Sequence, residues 1–101
     1  MTIEIKESEK ELYVGLTGRL DTAAAAEVSG EFERIGKSAD RTIVLDCTNL
    51  EYISSSGLRL FLTLRKEASA KGGKVIVRKI NDSIRNVFTM TGFYSLFEME
   101  D

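Results

Sequence analysis

Histidine and proline are absent from this 101-residue chain, and cysteine occurs once. Without histidine there is no Ser-His-Asp or Cys-His relay and no histidine-bound metal. Without proline there is no proline-rich linker or tail. The single thiol, Cys47, has no internal disulfide partner, and its place after an apolar strand predicts a packed thiol in a reducing compartment. No run approaches the roughly 20 apolar residues of a membrane span, so direct membrane insertion is not expected. Met1-Thr2-Ile3-Glu4-Ile5-Lys6 lacks the basic start and apolar stretch of a secretion signal, which predicts a cytoplasmic protein. The Gly-x-Ser-x-Gly elbow and the Gly-x-x-x-x-Gly-Lys-Ser/Thr phosphate loop are both missing. On these grounds no catalytic residue, cofactor or metal is expected, and the chain is read as a non-enzyme.

What is present is ordinary in bulk: 43% hydrophobic and 30% charged residues, which suits a globular domain with one core, residues 1–101. A net charge of −2 gives no reason to expect a nucleic-acid ligand. Eight of the fourteen basic residues fall between Arg59 and Arg85, against only Glu67 and Asp82, and are read as a solvated face with favourable helix-end charges.

Ile3–Lys6 is a short edge strand, followed by a turn at Ser8–Glu11. Leu12, Val14 and Leu16 then alternate with polar or small residues at the two-residue period of a strand. This predicts an antiparallel opening pair. Gly18–Thr22 breaks the pattern, and Asp21 or Thr22 caps a helix with Val28, Phe32 and Ile35 on its apolar stripe and Gly36 as its stop. Thr42–Leu45 reads as a buried parallel strand ending near Asp46, a polar link follows, and a helix runs from about Ser56 to Lys71, closed by Gly72-Gly73. Val75–Val77 is the next strand. Asn81 or Asp82 caps a helix with Ile84, Val87, Phe88 and Thr91 inward, and Tyr94–Glu98 is read as a last edge strand. The fold class is therefore α/β: a four- to five-stranded, mostly parallel sheet with an N-terminal antiparallel edge strand and three to four helices.

Parallel units place every strand-to-helix connection at the carboxyl edge of the sheet. Gly18–Thr22, Cys47–Ser56 and Lys79–Asp82 should thus share one surface with the serines at its middle. Serine hydroxyls at a helix start meet N–H groups that lack partners, at the dipole end that favours an anion. A phosphoryl group there would be tolerated by the fold, and its cost would fall on whatever docks nearby. Asp46 is assigned a structural role as a carboxylate satisfied by nearby N–H groups, and Gly57 one in close packing.

Gly18-Arg19-Leu20-Asp21, Ile43-Val44-Leu45-Asp46 and Ile53-Ser54-Ser55-Ser56-Gly57-Leu58, in this order and spacing, resemble the STAS family, whose single-domain members are bacterial anti-sigma factor antagonists. The resemblance implies a module that binds an anti-sigma factor serine kinase and so frees a sigma factor. It implies phosphorylation by that kinase at the serine two places before the glycine, Ser55, with Ser54 as runner-up, and reversal by a PP2C-type phosphatase. Many members carry Asp where this chain has Ser54. Partner contact is expected at Asp21, Thr22, Ser54, Ser55, Ser56, Gly57 and Arg59. The alternative within the family is a soluble STAS subunit docked on a membrane transporter or larger signalling complex. Homo-oligomerisation stays open.

Overall fold

The computed structural model describes residues 1–101. Its opening pair is a hairpin of β1 (Thr2–Glu7) and β2 (Glu11–Leu20), antiparallel with Ile3 opposite Leu16 and Ile5 opposite Val14. Then follow α1 (Thr22–Lys37), β3 (Thr42–Ile53), α2 (Ser55–Lys71), β4 (Lys74–Arg78), α3 (Asp82–Thr91), a 3-10 turn (Phe93–Leu96) and β5 (Glu98–Glu100). The strands lie in the order β1-β2-β3-β4-β5, and all pairings after the first are parallel. The expected α/β architecture is the one observed.

Crossovers of one hand that step in one direction deliver every helix to the same face of a sheet. The core reflects this: Leu12, Val14, Leu16, Ile43, Leu45 and Val77 on the strands join Val28, Phe32, Phe61 and Phe88 on the helices in one cluster. Phe61 of α2 is its hub. Its ring stacks 6.0 Å from Phe32 of α1 and meets Phe88 of α3 and Phe97 edge-on at 6.2 and 6.4 Å. No helix covers the other face, where Val44 and Ile76 are nevertheless buried outside that cluster.

Five local expectations are corrected. β3 does not end at Asp46 but continues through Ile53. β4 stops with Arg78 opposite Asp46, so beyond that point β3 pairs with β2 alone, and its polar Thr48, Asn49 and Glu51 face solvent without breaking the strand. β2 likewise runs through Gly18 (φ 106°), with register shifts at Gly15/Thr17 and Gly18/Arg19 that absorb extra residues as bulges. Gly36 lies inside α1, which ends at Lys37, and Thr91 is exposed, donating its hydroxyl to the carbonyl of Val87. Tyr94–Glu98 is not a strand: Gly92 ends α3 in the left-handed region (φ 77°), the 3-10 turn follows, and the edge strand starts at Glu98.

Candidate functional site

The joined ends of β2 and β3 build the site. Leu20 and Ile53 are register partners whose side chains enter the core, and the backbone N–H of Ser54 donates to the carbonyl of Leu20 at 2.9 Å. Each strand then hands directly to a helix. Asp21 caps α1, its Oδ1 accepting from the N–H of Ala24 at 2.8 Å. Ser54 caps α2, its Oγ accepting from the N–H of Gly57 at 3.2 Å. Asn81 caps α3, accepting from Ile84 N–H at 2.8 Å, while its Nδ2 donates to the carbonyl of Leu50 at 3.2 Å. The third connection is thereby tied to β3, and three helix N-termini share one edge of the sheet.

Within this frame the three serines take different places. Ser54 is 9% exposed and spent on capping. Ser55 is the first residue of α2, exposed, with a hydroxyl that bonds to no protein group. Ser56 is half-buried. Gly57 is buried because the chain passes too close to the strand ends for a side chain: a Cβ there would lie 2.7 Å from Leu20 Cγ and 2.9 Å from Ile53 Cγ1. Thr22 and the exposed Arg59 line, with Ser56, a shallow groove of about 330 Å³ between the N-terminal turns of α1 and α2. Thus Thr22, Ser56 and Arg59 meet in the groove, Asp21 sits half-buried at one helix start, and Ser55 is presented at the other.

Asp46 lies apart from this surface, on the face of the sheet without helices. Tyr13 Oη donates to its Oδ2 at 2.5 Å, and the N–H and hydroxyl of Thr48 donate to its Oδ1 at 3.0 and 2.5 Å. The Tyr13 ring lies over Gly15, where a Cβ would stand 3.1 Å from its oxygen. Partial burial pushes the Asp46 carboxyl upward, but the bonds from Thr48 and Tyr13 and the charge of Arg78 outweigh it and hold the group below the usual carboxylate range. The same bond to Asp46, then burial and the carboxylate charge, raises the Tyr13 phenol. Burial, followed by the charge of Asp46, pushes the Cys47 thiol up to about 12. No group of three or more acidic or cysteine side chains is arranged to hold a metal ion.

A further contact at this edge is one that the sequence pattern did not predict. The Arg19 guanidinium stacks on the Tyr52 ring at 4.5 Å, the two being register partners one step before Leu20 and Ile53. Continued alternation past Asp46 was the signal, hidden by the bulges that set their register.

The mixed five-stranded sheet with helices on one face and an exposed serine at the start of α2 belongs to a known class. The sequence profile of the STAS domain matches residues 2–101, and the chain belongs to the STAS family. It is 33% identical over 86 residues to BtrV of Bordetella bronchiseptica, assigned as an anti-sigma factor antagonist, with 85% of this chain and 74% of BtrV covered. It is 29% identical over 102 residues to the anti-sigma F factor antagonist of Paenibacillus polymyxa, covering 100% of this chain and 87% of that protein. In fold it matches the anti-sigma factor antagonist SpoIIAA in its unphosphorylated form, with a TM-score of 0.76 at 22% identity over 99% of this chain and 88% of SpoIIAA. The phosphorylated form of Bacillus SpoIIAA matches equally well, with a TM-score of 0.76 at 21% identity over 99% and 91% of the two chains. Relatives of this chain are thus named as anti-sigma factor antagonists. No helix is long and apolar enough to cross a membrane.

Proposed function

We propose that this protein is an anti-sigma factor antagonist of the cytoplasm, acting through the single domain 1–101, controlled by phosphorylation of Ser55 and catalysing no reaction of its own. In its unmodified form it binds an anti-sigma factor that is also a serine kinase, through Asp21, Thr22, the Ser54–Gly57 turn and Arg59, and a sigma factor is released. The kinase ends the complex by phosphorylating Ser55, and a PP2C-type phosphatase restores it.

The observation that carries this reading is the contrast between Ser54 and Ser55. The first hydroxyl is buried and capping; the second is exposed and unbonded on the same turn. A phosphoryl group at Ser55 adds about −1.5 to −2 charges where the first-turn N–H groups have no intrahelical acceptor and the dipole favours an anion. The fold is not opposed by that charge. A docked partner is, because it must desolvate the group or face it. A fold shared with a protein solved in a phosphorylated and an unphosphorylated form supports the same reading.

The test is a paired pull-down from the source organism's lysate with wild type and Ser55→Asp as baits, bound proteins being identified by mass spectrometry. The expected result is an ATP-binding anti-sigma factor with wild type only, while the two baits give the same circular dichroism. Equal recovery of transporter or scaffold proteins by both baits would overturn the switch in favour of a constitutive docking subunit.

A further inference from the structure

We propose that Arg19 and Tyr52 form a second docking point on the partner-facing edge, one that engages an acidic surface of the anti-sigma factor. This rests on the reading given above and extends it to residues outside the serine turn.

Four observations carry it. The pair lies two residues upstream of the capping residues Asp21 and Ser54, at the strand ends that the Ser54 N–H to Leu20 carbonyl bond joins. Tyr52 is 40% exposed, one of few large apolar side chains left so open, although Arg19 already covers one face of its ring. Arg19 makes no side-chain hydrogen bond, and it stands outside all six ion pairs of the protein. Arg59, exposed at the groove, is likewise outside them. An aromatic ring that fixes the plane of a guanidinium leaves its donors aimed outward and limits the entropy lost on docking. Arg and Tyr are also the residue types that dominate binding energy at protein interfaces.

A guanidinium with unspent donors selects a carboxylate, which it binds in a bidentate manner. Arg19 and Arg59 both stand outside the ion pairs at this edge, so the patch of the partner that meets them is acidic.

The test uses the anti-sigma factor captured by wild type, purified and titrated calorimetrically at low and at high salt with wild type, Arg19→Ala, Tyr52→Ala, the double variant, Arg19→Lys and Arg34→Ala. Arg34 is an exposed arginine at the far end of α1, near the opposite edge of the sheet, and its variant controls for loss of charge alone. Arg19→Ala and Tyr52→Ala should each weaken binding roughly 10-fold or more. The double variant should lose less than the product of the two, because the pair acts as a unit. Arg19→Ala should flatten the salt dependence, Arg19→Lys should restore only part of the affinity, and Arg34→Ala should change nothing. Thermal melts of each variant should match wild type, which separates lost docking from lost folding. Affinities for Arg19→Ala and Tyr52→Ala within about two-fold of wild type, with an unchanged salt slope, would overturn the docking point. If Ser55→Asp still failed to bind, the phosphorylation switch would survive that result. Failure of wild type to capture any anti-sigma factor would remove both.

Discussion

Ser54 Oγ accepts from Gly57 N–H at 3.2 Å while the hydroxyl of the adjacent Ser55 accepts and donates nothing within the protein. One serine stabilises the helix start and the next is presented by it. Ser54→Ala should therefore cost about 1 kcal/mol of stability, and Ser55→Ala a few tenths at most. Urea denaturation of the two variants checks the difference. In a kinase reaction, phosphopeptide mapping should find the label on Ser55 in wild type and in Ser54→Ala alike.

Gly57→Ala should destabilise by about 1–3 kcal/mol, because the added methyl would sit 2.7 Å from Leu20 Cγ and 2.9 Å from Ile53 Cγ1. The strain falls on the residues that join β2 and β3 beneath the serine turn, so the start of α2 must shift. Amide chemical shifts of Ser54–Leu58 should move while those of the distant β1 stay in place.

Asp46 titrates below its ordinary value, so the native state releases this proton at a lower pH than the unfolded chain does. Its contribution to stability is complete above a pH of about 4 and disappears as pH falls through the native pKa. Tyr13→Phe removes one of the bonds that hold the group down, and the acid transition of that variant should move to higher pH. At the alkaline end the sign reverses: the raised Tyr13 phenol stabilises the fold below a pH of about 10, and that contribution is lost as pH rises through the native value. Denaturation midpoints across the pH range measure both.

Cys47, buried and pushed up to about 12, has almost no thiolate at neutral or mildly alkaline pH. Thiol reagents should label the native protein at the rate of its unfolding rather than at the rate of a free thiol. Labelling in denaturant should be immediate, and Cys47→Ala should abolish it.

Much of this was legible in the sequence where a period or a cap carried it. The apolar stripe Val28-Phe32-Ile35 and the residues around Phe61 identified the helices because burial on one face imposes their spacing. The serine turn and Asp21 were legible through capping chemistry. Three successive serines all satisfy a cap, however, and only the packing of Gly57 on Leu20 and Ile53 selects Ser54 for it. The length of β3 was not legible, since Thr48, Asn49 and Glu51 are polar for want of a neighbouring strand and not for want of a strand conformation. The Arg19–Tyr52 contact required cross-strand register, which two bulges displace.

The spatial order of the strands is also their order along the chain. During synthesis, each strand emerging from the ribosome finds its neighbour already made, and none must later be inserted between two others. Every pairing is added at a growing edge, with the short β5 on β4. Parallel pairing is slow when distant segments must search for each other; here each search spans only one helix and its connections. The surface at the serine turn is consequently built by β2, β3 and the start of α2, none of which pairs with the last strand.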